Sequence, residues 1–172
     1  MICSSPWVFM SLRPSFWNLL QFGEKTVELR RRGPALAAPF RVVVYASAPV
    51  SAVVGTFVVT EATESDTETL WASLGGKTGI ARPAFEAYFA GATKPMALHI
   101  SDVEPLSTAV PLAALRTVLG RGWPPQSYRY ISAAGVKQLL CTTGDDTPER
   151  NPISPANPAQ KKPHLVAGAA GT

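Results

Sequence analysis

Between Gly23 and Arg32 the chain reads GEKTVELRRR, six charged residues in ten within a sequence that is only 16% charged. The residue types suit an anionic or nucleobase ligand. Lys25 and the arginines can hold a phosphate or a base edge, while Glu28 accepts a hydrogen bond from the same guest. A Lys25–Glu28 couple can also exchange protons if burial shifts the two ionisations. The competing reading is an exposed strand whose charges neutralise one another and discourage edge pairing. Spacing alone leaves both readings open.

Two later stretches carry related chemistry. In PPQSYRY, Pro124 to Tyr130, two prolines stiffen the backbone before Tyr128, Arg129 and Tyr130 interleave aromatic and base. Such a run can stack a nucleobase and neutralise a phosphate, or it can be two packing rings with an arginine between them. In YASAP, Tyr45 to Pro49, Ser47 alternates with Tyr45 along a strand. GGKTG at Gly75 is no P-loop, because no strand precedes it and the upstream glycine is missing. His99 lies on an apolar strand and reads as a satisfied core residue. Cys3 and Cys141 have no CxxC partner, so they read as reduced thiols and no metal site or cofactor is expected.

The elements that must position these residues follow from hydropathy and punctuation. Trp7 to Leu12 reads as a buried strand, and Pro14 opens a helix carrying Phe16, Leu19 and Leu20 that stops at Gly23. TVELRRR alternates, with Val27 and Leu29 on a buried face and Glu28, Arg30 and Arg32 on a wet one. RVVVYASAP and AVVGTFVVTEAT are two apolar strands about an Ala-Pro-Val-Ser turn. A helix capped by Ser65 or Asp66 runs to Leu74, and another from Pro83 carries Phe85, Tyr88 and Phe89 to Gly91. MALHISDVEPL is a further strand and PLAALRTVL a short helix, with GVKQLLC a closing apolar stretch. Five or so strands and three or four short helices, with strands mostly adjacent in sequence, predict an α+β fold. Its form would be a small, partly closed β-barrel with short helices packed at its openings.

At 172 residues and 46% hydrophobic, the chain suits one folded domain. Residues 1–141 form that domain, and 142–172 a disordered Pro/Ala-rich tail. The tail's three bases cancel its three acids, so the net charge of +4 belongs to the domain. That charge is a mild hint of an anionic partner. The uncharged run Val42 to Val59 is broken by Pro49 and Gly55, which argues against a membrane span. The amino terminus does not read as a secretory signal, and a cytoplasmic location is expected. The sequence leaves the oligomeric state open.

Taken in order, SLRPSFWNLLQFGEKTVELRRR, VVVYASAPVSAVVGTF, GIARPAFEAYFAG, MALHISDVEPL and WPPQSYRYIS resemble an ASCH domain of the PUA-like superfamily, over roughly residues 7 to 140. The resemblance implies a small β-barrel with a cleft beside the first helix that holds RNA, a nucleoside or a nucleotide. It implies cleft positions at Ser11, Arg13, Lys25, Glu28, Arg30, Ser47, Gln126 and Tyr128, with Arg31 and Arg32 extending the positive rim; Arg129 remains a nucleic-acid-binding candidate from the PPQSYRY reading. Lys25 and Glu28 are then the candidate catalytic pair. Some ASCH-like proteins are amidohydrolases acting on N4-acetylcytidine through a lysine, a threonine three residues later and a distant glutamate. Here Glu28 stands where that threonine would be. Others are linked to RNA cleavage. The resemblance therefore implies an RNA- or nucleotide-binding module, with a hydrolase of acylated nucleosides or a ribonuclease as the alternative.

Overall fold

Residues 6–142 are described by the computed structural model, so Cys3 and, beyond Thr142, the tail lie outside them. Within that span the order is β1 (Trp7–Leu12), α1 (Pro14–Gln21), β2 (Val27–Arg30), β3 (Phe40–Ala46), β4 (Ala52–Glu64), α2 (Thr67–Leu74), a 3₁₀ turn (Gly75–Lys77), α3 (Arg82–Phe89), β5 (Met96–Pro111), α4 (Leu112–Leu119), β6 (Tyr128–Ile131) and α5 (Ala133–Cys141). The six strands form one mixed sheet in the order β2-β5-β4-β3-β1-β6. The sheet curls into a partly closed β-barrel with short helices packed around it, an α+β fold.

Local chemistry explains most boundaries. Pro14 at the start of α1 wastes no N–H, and Gly23 after its end takes a φ of +73°. Asp66 caps α2 by accepting from the Thr69 N–H, and its carboxyl pKa is lowered by bonds from the Thr69 hydroxyl and N–H. The β-branched Val42–Val44 run sits buried at the centre of β3. The apolar run from Val42 to Val59 becomes the β3–β4 hairpin, and no helix among the described residues is long and apolar enough to cross a membrane.

Three features differ from the sequence reading. β1 and β3 pair in parallel, α1 and β2 lying between them in the chain. β5 continues five residues past Leu106 to Pro111, through a short Ser-Thr-Ala-Val-Pro stretch with no period-two alternation to signal a strand. The YRYI segment forms β6 on the free side of β1, and the apolar stretch at the end is helix α5. His99 is half-buried, with Nε2 3.2 Å from the Thr63 hydroxyl.

Alternation along the strands separates three apolar clusters. Inside the curl, Val8, Met10, Val42, Val44, Phe57 and Leu98 pack about Trp17 and Leu20 of α1. Each such side chain contributes about 1.5–3 kcal/mol by leaving water. On the outer face, α4 and α5 cover Phe9, Val43 and Val53. The other outer cluster joins Val27 and Leu29 of β2 to Leu70, Leu74, Phe85 and Phe89 of α2 and α3.

Trp17 reaches the interior only because position 55 is glycine. A Cβ there would lie 2.4 Å from the indole and 2.5 Å from the Glu104 carbonyl. Gly55→Ala is therefore expected to lower stability by about 1–3 kcal/mol through overpacking, read as a shifted urea midpoint.

The barrel's last joint is made without strand pairing. β2 and β6 end the strand order and do not pair. Side chains join the two regions instead: Arg30 donates to the Ser127 hydroxyl (3.1 Å) and the Tyr128 hydroxyl to the Gly33 carbonyl (2.8 Å). The Ala35 N–H donates to the Tyr130 hydroxyl (2.8 Å).

Candidate functional site

The alternation in β2 places Glu28 opposite Leu98, which belongs to the inner cluster, and Leu29 opposite Ala97 on the outer one. Glu28 and Arg30 therefore face the inside of the curl. The expected wet face is wrong: Lys25, Glu28 and Arg30 are 3%, 5% and 7% exposed. Period two identifies which residues share a face, but the partly closed barrel turns that face away from solvent.

The three side chains form one ionic cluster. Glu28 presents Oε2 to the Lys25 ammonium at 3.3 Å and Oε1 to Arg30 Nη2 at 3.0 Å. Lys25 Nζ also donates to the Thr78 carbonyl at 2.6 Å and lies 5.0 Å from the centre of the Phe16 ring. Arg30 Nη2 donates to the Ser11 carbonyl at 3.1 Å. Its Nε is buried with no hydrogen-bond partner among the described residues. One carboxylate against two cations leaves the cluster one positive charge in excess, and a desolvated excess charge favours an anionic guest.

The cluster lies in a cleft of about 790 Å³, within the range that takes small ligands. Its polar side carries Ser11, Arg13, Ser47, Gln126 and Ser127 together with the ionic cluster. Its apolar lining is made by Phe16 of α1 and by Ile80, Ala84, Ala87 and Tyr88 at and along α3. The Tyr88 hydroxyl donates to the Leu29 carbonyl at 3.1 Å, and burial raises its pKa. It remains a protonated phenol at neutral pH.

Of the positions singled out in the sequence, the cleft gathers Ser11, Arg13, Lys25, Glu28, Arg30, Ser47 and Gln126. The early charged ribbon and the late proline-rich turn meet there, for Arg30 Nη1 donates to the Ser127 hydroxyl at 3.1 Å, and Ser11 Oγ of β1 donates to the Pro125 carbonyl at 2.6 Å. Tyr128 sits just outside, packed against the inner cluster. Arg129 is exposed over the Trp123 ring, and Arg31 and Arg32 are exposed, with Arg31 donating to the Ala90 carbonyl. None of these four lines the cleft.

Ser127 and the α3 wall escaped the sequence reading. A loop hydroxyl carries no periodic signal. In α3, Phe85 and Phe89 mark the core face, which draws attention away from the small neighbours Ala84 and Ala87. Cys141 is exposed at the end of α5, and among the described residues no three His, Cys, Asp or Glu side chains cluster to hold a metal ion.

The cluster makes stability depend on pH. Burial pulls the Lys25 pKa below its ordinary 10.5; Glu28 opposes that shift and Arg30 adds to it. Between the folded value and 10.5 the unfolded chain thus binds more protons at this amine than the folded one. The contribution of Lys25 to stability is then least favourable below that window and improves as pH rises through it. Relative to Lys25→Met, the wild-type protein should gain stability from about pH 7 to about pH 10, read by paired urea titrations. A difference that stays flat across this range would contradict the assignment.

No family profile matches the chain. An ASCH domain-containing ribonuclease of Zymomonas mobilis is 31% identical over 134 residues, which span 78% of this chain and 90% of that protein. The crystal structure of ASCH from Zymomonas mobilis superposes with a TM-score of 0.72 at 30% identity, covering 78% of this chain and 93% of the other. The N-terminal domain of Staphylothermus marinus McrB shares the fold at a TM-score of 0.52 and 10% identity, covering 78% of this chain and 93% of that one.

Proposed function

Since the chain belongs to the ASCH domain family, we propose that it binds single-stranded RNA in the cleft and cleaves it there. The observation that carries this reading is the buried Lys25–Glu28–Arg30 cluster on the cleft's polar side. Burying three charges costs stability, and an apolar trio of similar size would pack as well. Such a cluster suits chemistry on an anion, and the Zymomonas relative is named a ribonuclease.

The roles follow from the groups. A phosphodiester is held by Arg30, with Arg13 on the exposed rim meeting a neighbouring phosphate. Glu28 accepts the proton of the ribose 2′-hydroxyl, whose oxygen attacks the adjacent phosphorus. Lys25, an ammonium made more acidic by burial, gives a proton to the departing 5′-oxygen. The bond from phosphorus to that 5′-oxygen breaks, leaving a 2′,3′-cyclic phosphate and a free 5′-hydroxyl. Arg30 also faces the charge that grows on the non-bridging oxygens. The apolar wall of Phe16, Ala84, Ala87 and Tyr88 suits an unstacked base, which favours single strands over duplex.

The test is incubation of end-labelled single-stranded RNA with the purified protein, read on a denaturing gel. Fragments ending in a cyclic phosphate are expected, and DNA of the same sequence, lacking the 2′-hydroxyl, should stay intact. Uncleaved RNA bound with an affinity that Arg30→Met reduces would leave a binding module without catalysis. Deacylation of N4-acetylcytidine with RNA untouched would assign a hydrolase of acylated nucleosides.

A further inference from the structure

The sequence GGKTG between α2 and α3, dismissed as a phosphate loop, lies against the Lys25 segment. Thr78 is fully buried, and its carbonyl accepts the 2.6 Å bond from Lys25 Nζ. The Thr26 N–H donates to the Lys77 carbonyl at 3.0 Å, a second tie between the same two segments. Gly79 takes a φ of +72°, and a Cβ there would lie 2.9 Å from Leu19 and 3.4 Å from the Lys25 side chain. The turn also leads directly into Ile80 and α3, the cleft's apolar wall.

The Thr78 hydroxyl needs an explanation of its own. It donates to the Gly75 carbonyl at 2.8 Å, inside the turn. Valine has the same shape and would bury without a polar atom to satisfy, so packing does not demand threonine here. The Thr78 N–H already closes the turn on the same Gly75 carbonyl at 3.3 Å, and the shorter hydroxyl bond adds a side-chain tie that fixes the direction of the Thr78 carbonyl. That carbonyl and Glu28 Oε2 are the two acceptors that locate the Lys25 amine. We propose that the Gly75–Gly79 turn is a positioning element for the reaction, in which the Thr78 hydroxyl aims the Thr78 carbonyl and so seats the Lys25 amine beside Glu28. This rests on the reading of Lys25 as a participant in RNA cleavage; Thr78 itself touches no substrate.

Thr78→Val removes the hydroxyl and keeps the shape. With it, kcat for RNA cleavage should fall roughly tenfold or more while KM moves little, since misplacing a reacting group acts on the chemical step. Thr78→Ser keeps the hydroxyl and should restore most of the rate. A second readout needs no RNA: NMR titration of the Lys25 side chain in lysine-labelled protein. A loosened turn admits water, so in Thr78→Val the titration should move upward, toward that of an ordinary lysine. Unchanged kcat and unchanged titration in Thr78→Val overturn the proposal, as does a Thr78→Ser variant no better than valine. If Thr78→Val does not fold, Gly79→Ala, which strains the same turn from its far end, is scored by the same two measurements. Should no variant or wild-type protein cleave RNA, the cleavage reading fails while the titration still decides whether the turn seats Lys25.

Discussion

Glu28→Ala is expected to lower the folding free energy by about 3–5 kcal/mol, the cost of leaving buried charge without its counter-ion. Two cations depend on this one carboxylate, and both are more than nine-tenths buried. Without Glu28, Arg30 keeps its bonds to the Ser127 hydroxyl and the Ser11 carbonyl, but both of those partners are neutral. Glu28→Gln keeps an acceptor but not the charge and should fall between the two. A shift of that size lowers the thermal midpoint by on the order of 10 °C. The contrast is the exposed Lys94–Glu64 pair at 3.6 Å, where Glu64→Ala should change stability by less than about 1 kcal/mol.

The same argument predicts a rescue. Replacing all three charges together, by Lys25→Met, Glu28→Leu and Arg30→Met, removes the unpaired ions that make the single change costly. The triple variant should recover most of the lost stability, because apolar replacement of a buried ionic set is often neutral or stabilising. It should also cleave no RNA. Urea unfolding with an unchanged m-value, alongside the cleavage assay, checks both halves. Stability that stays as low in the triple variant as in Glu28→Ala would show that the cluster holds the fold together in its own right.

The second large effect is on turnover. Lys25→Met should reduce kcat for RNA cleavage by about 10²–10⁴-fold, the usual contribution of a positioned proton donor. KM should change little, since Arg30 and Arg13 remain to hold phosphates. Lys25→Arg should not rescue, because a guanidinium keeps its proton throughout the working pH range. The rate should also decline on the alkaline side as Lys25 deprotonates, at a pH below that of an ordinary lysine, because burial lowers its pKa. Single-turnover measurements across pH, with and without the substitution, test the assignment. Full activity in Lys25→Arg would remove Lys25 from the proton-transfer step.

Much of this arrangement was legible before the structure. Pro14 and Gly23 bracket α1, the Val42–Val44 run forms β3, and the parity of Val27, Glu28, Leu29 and Arg30 is correct. What faces each parity was not legible, because the surroundings of β2 come from β5, α2 and α3, all distant in sequence. The environment of Glu28 thus had to await long-range pairing. β5 reads short because its later half is largely exposed and punctuated by Pro105 and Pro111, so its ladder with β4 is invisible to hydropathy. Ser127 and Thr78 act through one hydroxyl and one carbonyl, whose directions depend on turns closed by local hydrogen bonds. Residue type alone does not encode such a direction.

The side-chain joint between β2 and β6 has a kinetic consequence. Elsewhere in the sheet, separating two neighbouring strands means breaking a ladder of backbone bonds. Here it means releasing the contacts that Arg30, Tyr128 and Tyr130 make across the gap. Local opening there is accordingly less costly than anywhere between paired neighbours. In native-state amide exchange, the β6 and β2 ends should give up deuterium protection earlier than β3 and β4. A threading polymer longer than the cleft could then enter sideways through a parted wall, without having to be fed in end first.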